Sequence, residues 1–144
     1  MDIKEIMNLL PHQYPFLLLD KIVRLVKGES ALGIKNVTIN EPYFQGHFRE
    51  NPVVPGVLII ESCAQLLGIV CADEGEPQRK HQYLASVKEF NFKRPVCPGD
   101  TMYIDVKVTH SGFNLIQGDI RVKTQQGLVA VGTLVNTHSR QGQG

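Results

Sequence analysis

Two residues of this chain, His47 and Glu61, have the types and surroundings that acid–base chemistry requires. His47 follows Gly46 in a proline-containing loop, and a neutral imidazole there can accept a proton. Glu61 is the only acidic residue of an apolar helical segment, where a carboxyl group is rarely left buried without a partner. Gln65, one turn later on the same face, is placed to hold that carboxyl. Structural roles for the same residues stay open: His47 could bind a backbone carbonyl, and Glu61 or Gln65 could face solvent.

The helical segment begins at Gly56 and Val57, directly after Pro55. Free N–H groups at a helix start, together with the positive end of the helix dipole, can polarise a carbonyl oxygen. Glycine at position 56 permits close approach of a ligand to the backbone, although an ordinary helix start would look the same. No nucleophile accompanies this set, because Cys63 faces another side of the helix. The combination is typical of proton abstraction next to a carbonyl rather than covalent acyl transfer.

The elements that must position these residues follow from the periodicity of the chain. Twelve of the sixteen residues from Val57 to Ala72 are apolar, which predicts a helix buried nearly all round. Asp2 is a candidate N-cap for a short helix that Pro11 closes. Helices are expected over 2–10 and 56–72, strands over 17–26, 30–39, 84–92, 102–109, 113–124 and 128–137, and an irregular segment over 40–55. This order predicts an α+β fold, an antiparallel sheet of about six strands wrapped around one long helix.

Composition narrows the class of protein. The 144 residues fit one domain, 1–144, with 139–144 expected to be a flexible tail. Fifteen Lys and Arg balance fourteen Asp and Glu without a basic cluster, which argues against nucleic acid as a partner. The three cysteines form no CxxC pair, as expected of a reducing, cytoplasmic location. No apolar run reaches the ~20 residues of a membrane span, so a soluble protein is predicted.

A metal site is not expected, because no two histidines share the spacing of metal ligands. Four histidines lack the loop setting of His47 and are interpreted as structural or exposed: His12, His81, His110 and His138.

The chain resembles the FabZ-type (3R)-3-hydroxyacyl-acyl-carrier-protein dehydratases, which adopt the hot-dog fold. The resemblance covers roughly residues 5–138. It rests on these motifs: Leu10-Pro11-His12, Tyr14-Pro15-Phe16-Leu17-Leu18-Leu19-Asp20, Ile34-Lys35-Asn36-Val37-Thr38, Asn40-Glu41-Pro42, Phe44-Gln45-Gly46-His47-Phe48, Pro55-Gly56-Val57-Leu58-Ile59-Ile60-Glu61, Ala64-Gln65, Phe92-Lys93-Arg94-Pro95-Val96 and Pro98-Gly99-Asp100.

The resemblance implies dehydration of a 3-hydroxyacyl group to a trans-2-enoyl group on acyl carrier protein. His47 would take the C2 proton, and Glu61 would protonate or orient the departing 3-hydroxyl. The N–H of Gly56, with Val57 as a second candidate, would polarise the thioester carbonyl. No cofactor is implied beyond the carrier's phosphopantetheine. Because the dehydratase-isomerase branch carries Asp where this chain has Glu61, no isomerisation is expected.

The resemblance also implies how the substrate tunnel is lined and how the subunits assemble. Phe48 and Pro55 would line the substrate tunnel, and Gln65 would support the acid. His47 and Glu61 would come from opposite subunits of a dimer, and three dimers often form a hexamer.

The chain departs from the family pattern at Gln13, Arg49 and Val54, where the family usually has Arg, Pro and Met. The loop over 49–54 is therefore expected to take a different path near the tunnel mouth, which leaves the acyl-chain preference open. Arg49 is hypothesised to contact the carrier protein or its phosphopantetheine phosphate.

Two other functions remain open for this chain, a hot-dog acyl-thioester hydrolase and a noncatalytic acyl-carrier-binding module. The presence of both His47 and Glu61 argues against them.

Overall fold

The computed structural model of the protein describes residues 1–45, 50–72, 80–112 and 114–140. Within these ranges the chain forms two α-helices, one 3-10 turn and six strands. In chain order they are α1 (Ile3–Leu9), β1 (Lys21–Val26), β2 (Ser30–Asn36), the 3-10 turn (Pro42–Phe44), α2 (Gly56–Val70), β3 (Lys80–Phe92), β4 (Thr101–Gly112), β5 (Leu115–Thr124) and β6 (Gly127–Arg140).

The six described strands make one antiparallel sheet in the order β1-β2-β4-β5-β6-β3. Helix α2 packs against one face of it and touches β2, β3, β4, β5 and β6. A single long helix held by an antiparallel sheet is the hot-dog arrangement, so the predicted α+β fold is confirmed. In the described part of the chain, no helix is long and apolar enough to cross a membrane.

Helix α1 begins with Asp2 as its N-cap, as the sequence predicts, and Glu5 completes a capping box. The Asp2 carboxylate accepts a hydrogen bond from the Glu5 N–H at 3.0 Å, and the Glu5 carboxylate accepts one from the Asp2 N–H at 2.7 Å. Two N–H groups that a helix start leaves unpaired are thereby satisfied. The helix ends at Leu9, with Leu10 as its C-cap and Pro11 next in the chain.

Strands β2, β4 and β5 alternate buried side chains with more exposed ones, and helix α2 packs on the buried face. In β5 the side chains of Ile116, Ile120 and Val122 point inward and are buried, while the residues next to them in the strand are exposed or half-buried. Gly118 continues that inward row, and a Cβ there would lie 2.8 Å from Cδ1 of Leu67. The absence of a side chain at Gly118 therefore makes room for the helix, whose residues 62–70 are all buried.

Several boundaries differ from those expected. The predicted strand over 17–26 begins only at Lys21, because residues 16–18 are hydrogen-bonded to helix α2 instead of to a strand. Strand β3 begins at Lys80, four residues early, because β6 continues to Arg140 and pairs with it. β6 thus extends two residues into the expected tail, while 141–144 lie outside the described residues.

Strand β3 forms one edge of the sheet, and β1 forms the other. Although β3 is 13 residues long, its side chains from 83 to 92 are exposed or half-buried. The exposed large apolar residues on it are Tyr83, Leu84, Val87 and Phe92. A long apolar edge is unusual in a protein that remains alone, because its unpaired N–H and C=O groups are a template for another strand.

Candidate active site

The start of helix α2 lies beside the end of β3. Pro55 is the N-cap, and its carbonyl accepts the first helical hydrogen bonds, from Leu58 and Ile59. Gly56 and Val57 are the first helical residues, and N–H groups at these positions have no acceptor within a helix. Val57 is 73% exposed. The backbone at positions 56 and 57 thus presents free donors at the positive end of the helix dipole, as the sequence predicts.

A cavity of about 350 Å³ opens at this helix start, within the size range of ligand pockets. Its walls are mostly apolar, with Lys93 and Arg94 as the cationic residues. The lining residues are Val53, Val54, Gly56, Ile59, Phe92, Lys93, Arg94, Pro95 and Val96. Pro55, expected along a tunnel, is not part of this lining in the described structure. The cavity combines an apolar wall with backbone donors, which suits an acyl or pantetheine-like group.

Glu61 lies one turn further into helix α2, and its side chain is 20% exposed. Its Oε1 lies 3.2 Å from Nε2 of Gln65, which donates a hydrogen bond, and 3.4 Å from Nε2 of His12. The carboxyl is thus neither free in solvent nor buried alone. Two nitrogen donors approach the same oxygen.

Gln65 is 1% exposed and all its polar atoms are used. Its Oε1 accepts a hydrogen bond from the Leu18 N–H at 2.9 Å, and its Nε2 donates to the Phe16 carbonyl at 2.8 Å as well as to Glu61. The expectation that Gln65 holds the Glu61 carboxyl agrees with this geometry. The alternative of a solvated residue is wrong, because the 16–18 segment covers this face of the helix.

His12 is the residue that sequence reasoning missed. Its setting in the sequence indicates a structural or exposed residue, and in the structure its imidazole is 22% exposed and lies against the Glu61 carboxyl. Its ring also lies 6.0 Å, centroid to centroid, from that of Phe16. The one available signal was its place in the Leu10-Pro11-His12 motif, since nothing local links residue 12 to residue 61.

The remaining candidates fall in different places. His47, Phe48 and Arg49 lie outside the described residues. Val54 is buried beside the cavity, Gln13 is exposed, and His110 is exposed on β4. His81 lies on β3 and His138 on β6. Among the described residues no three His, Cys, Asp or Glu side chains cluster as a metal site would require.

The thiol closest in sequence to Glu61 is unsuited to nucleophilic attack. Cys63 is fully buried in helix α2, and this burial raises the pKa of its thiol far above the usual value. Only the thiolate is an effective nucleophile. The expectation that this site lacks a nucleophile near the acid therefore agrees with the packing of Cys63.

A charged cluster anchors the segment that enters the loop of His47. Lys35 is 6% exposed, and its Nζ donates to Glu41 Oε1 at 3.0 Å and lies 3.7 Å from Asp20 Oδ2. Burial, followed by the charges of Glu41 and Asp20, raises the pKa of the Tyr43 hydroxyl. The Lys35–Glu41 contact joins the start of the 3-10 turn to strand β2.

Comparison with known proteins places this geometry in a family. The model of the FabA-like domain matches residues 10–132. A 3-hydroxyacyl-[acyl-carrier-protein] dehydratase FabZ of Geobacter metallireducens is 54% identical over 110 residues, covering 75% of this chain and 73% of the relative. The protein of the same name from Clostridioides difficile is 44% identical over 135 residues, covering 94% of this chain and 95% of the relative.

Solved structures share the fold at low sequence identity. The dehydratase heterocomplex ApeI:P of Xenorhabdus doucetiae aligns with a TM-score of 0.77 at 14% identity, covering 94% of this chain and 91% of that one. A hypothetical thioesterase of Streptococcus pneumoniae, solved with coenzyme A, aligns with a TM-score of 0.62 at 15% identity, covering 84% and 86%. Because the second neighbour is named a thioesterase, the fold alone does not decide between the two reactions. The sequence likeness does decide the family: the chain belongs to the FabA-like family and, within it, to the FabZ-type 3-hydroxyacyl-[acyl-carrier-protein] dehydratases.

Proposed function

We propose that the protein converts (3R)-3-hydroxyacyl groups, carried on acyl carrier protein, into trans-2-enoyl groups in fatty acid biosynthesis. The observation that carries the proposal is the held carboxyl of Glu61, one helical turn after the free backbone donors of Gly56. Elimination next to a thioester requires an acid that is held in place and a donor that polarises the carbonyl, and helix α2 carries a candidate for each. Membership in the FabZ family supports the same reaction.

The reaction balances with the chain's own groups. His47 removes the proton from C2, and the electrons of the C2–H bond form the C2=C3 double bond. The C3–O bond breaks with its electrons on oxygen, and the proton of Glu61 joins the departing hydroxyl to give water. The Gly56 N–H, with Val57 as the second candidate, stabilises the negative charge that develops on the thioester oxygen. The proton on His47 then returns to Glu61, so no cofactor is consumed, and no isomerisation follows.

The cavity at the helix start supports the binding part of the proposal. Its apolar wall suits an acyl or pantetheine segment, and Lys93 and Arg94 favour an anionic group at the same site. Acyl carrier protein supplies both, through its phosphopantetheine arm. Arg49, next to the proposed base in sequence, is a further candidate contact to the carrier or its phosphate, and Phe48 and Pro55 are proposed to border the substrate path.

The proposed assembly is a homodimer joined through β3, with three dimers forming a hexamer. The exposed apolar edge formed by Tyr83, Leu84 and Val87 supports the dimer, because pairing with a second copy would cover it. In this arrangement His47 of one subunit acts with Glu61 of the other. A reducing, cytoplasmic location is supported by the cysteines, which are free in the described structure.

The test is a pair of assays on the purified protein: hydration of crotonyl-carrier protein and dehydration of its 3-hydroxybutyryl counterpart, followed by enoyl-thioester absorbance. Glu61→Gln keeps the size of the side chain but removes the acid, so we expect the rate to fall about 100-fold or more. Glu29→Gln, at an exposed position of the β1–β2 turn, is the matched control and should keep the parent rate. Release of free thiol without an enoyl signal would instead identify a thioesterase, and binding without either product would identify a noncatalytic module.

A further inference from the structure

The two oxygens of the Glu61 carboxyl lie in unequal surroundings. Oε1 is approached by Nε2 of Gln65 at 3.2 Å and by Nε2 of His12 at 3.4 Å. Oε2 makes no hydrogen bond or ion pair with any residue in the described ranges. The side chain is only 20% exposed, so it is confined by its surroundings, while Oε2 has no partner in the described part of the chain. The surroundings therefore distinguish Oε1, which is held by two nitrogen atoms, from Oε2, which is not.

The direction of the Gln65 amide is fixed by its other partners. Its oxygen accepts from the Leu18 N–H, so the same end of the amide cannot be the nitrogen. Its nitrogen donates to the Phe16 carbonyl, and its second hydrogen faces Glu61. The amide therefore always presents a donor to Oε1.

The tautomer of His12 is favoured by burial. Its Nδ1 is buried and has no hydrogen-bond partner among the described residues. A hydrogen on that atom would be a buried donor without an acceptor, which is costly. The hydrogen of the neutral ring accordingly belongs on Nε2, where it points to Glu61. A separation of 3.4 Å is long for a hydrogen bond, but such bonds at reactive sites often tighten only when substrate is bound.

We propose that His12 and Gln65 are positioning residues that fix Oε1 as the carbonyl oxygen of protonated Glu61, so that Oε2 carries the proton. An oxygen that receives two N–H donors cannot itself hold the acidic hydrogen in the same directions. In the elimination, Oε2 gives its proton to the 3-hydroxyl as the C3–O bond breaks, water leaves, and Oε2 is later reprotonated. This inference rests on the proposed dehydration and assigns the reacting atom within it.

The experiment compares donor-free and donor-retaining substitutions at His12 by steady-state dehydration. His12→Phe and His12→Ala remove the donor, while His12→Gln keeps an N–H at a similar reach. We expect both donor-free variants to lose about tenfold to 100-fold in kcat with KM within about threefold, because a misplaced acid slows the chemical step without weakening binding. His12→Gln should recover most of the loss. His110→Ala, at an exposed position of β4, is the control for removal of a histidine.

A cycle with Glu61→Gln separates positioning from general damage. If His12 acts through Glu61, His12→Ala should change the residual rate of the Glu61→Gln protein by less than about twofold, whereas a structural defect should lower both backgrounds equally. Unchanged kcat in the donor-free variants, equal loss in His12→Gln, or losses that multiply would each overturn the inference. The failure of the proposed function is distinct: the parent protein itself would neither hydrate nor dehydrate the carrier-bound substrates.

Discussion

Gly56 faces the ring of Phe92 so closely that a Cβ on Gly56 would lie 3.0 Å from Cζ and 3.2 Å from Cε2 of the ring. Gly56 is the first residue of helix α2, and Phe92 is the last residue of β3. The missing side chain thus lets the helix start and the strand end meet at the cavity wall. The same gap leaves the backbone donors open to a ligand.

Gly56→Ala should therefore reduce activity more than stability. The new methyl group meets a ring that is 46% exposed and can give way, so the free energy of unfolding should change by no more than about 1 kcal/mol. It also crowds the approach of a carbonyl oxygen to the N–H, and we expect kcat/KM to fall about tenfold or more. Thermal unfolding and steady-state kinetics measure the two effects.

Adding Phe92→Leu to Gly56→Ala distinguishes two reasons for the loss. A smaller side chain at position 92 relieves the contact with the new methyl group, so recovery of kcat/KM would assign the loss to ring displacement. We expect no recovery, because the methyl group itself obstructs the donors. Full activity of Gly56→Ala alone would contradict a role of this backbone in the reaction.

Gln65→Leu should destabilise the fold strongly. The substitution leaves the Leu18 N–H without its acceptor and the Phe16 carbonyl without its donor, and each unsatisfied buried group costs about 1–3 kcal/mol. We expect the free energy of unfolding to fall by about 2–4 kcal/mol, measured by urea denaturation. Ser62→Ala is the control on the same helix. Ser62 is buried, and its hydroxyl donates a hydrogen bond to the Leu58 carbonyl of the preceding turn. It should cost less than about 1 kcal/mol; an equal loss would mean that packing, not these hydrogen bonds, makes position 65 important.

Lys35→Met tests the charged cluster beneath the 3-10 turn. Removing the ammonium leaves Glu41, whose side chain is 15% exposed, without its cationic partner, while Asp20 is more exposed and better hydrated. We expect a loss of about 1–3 kcal/mol in the free energy of unfolding, because an unpaired half-buried charge is costly. Combining Lys35→Met with Glu41→Gln should restore part of that stability, since the unpaired charge is then gone. An additive result in the double variant would show that the Lys35 ammonium does not stabilise the fold through Glu41.

The sequence predicted those features of the fold that depend on local pattern. Alternation identified the strands, the apolar run identified helix α2, and Asp2 identified the start of α1. The site was predictable where it lies on one element: Gly56, Glu61 and Gln65 occupy successive turns of the same helix. The i, i+4 spacing of Glu61 and Gln65 alone predicts that these two side chains share a face.

What the sequence could not predict depends on contacts between distant segments. Periodicity gave no sign that residues 16–18 would leave the sheet and bind Gln65. For the same reason the position of His12 against Glu61 had no local signal, because the two residues lie 49 positions apart in the chain and meet only through tertiary packing. The choice between a solvated and a buried Gln65 depended on that same segment.

Val87→Lys tests the proposed pairing of β3 with a second copy. A lysine on an edge strand opposes pairing with another strand, so we expect the assembly to dissociate toward monomer in sedimentation experiments and lose activity with it. Val87 is 42% exposed in the single chain, so folding should be affected by less than about 1 kcal/mol. Val23→Lys, 54% exposed on β1 at the opposite edge, is the matched control and should leave the assembly intact. Dissociation by Val23→Lys rather than Val87→Lys would place the interface at the other edge.

Mixing two inactive variants tests whether each site is shared between subunits. His47→Ala and Glu61→Gln should each be inactive alone. If His47 and Glu61 act across a dimer, one site of every mixed dimer combines an intact base with an intact acid. Random exchange makes half of the dimers mixed, so about a quarter of all sites should become active, following the symmetry of a two-subunit assembly.

The mixture should show that activity after the two proteins are unfolded and refolded together. It should not show it when the two proteins are refolded apart and assayed before exchange. No recovery after co-refolding, with mixed dimers verified by two affinity tags, would place the acid and the base of each site in the same subunit, because a mixed dimer would then contain no complete pair.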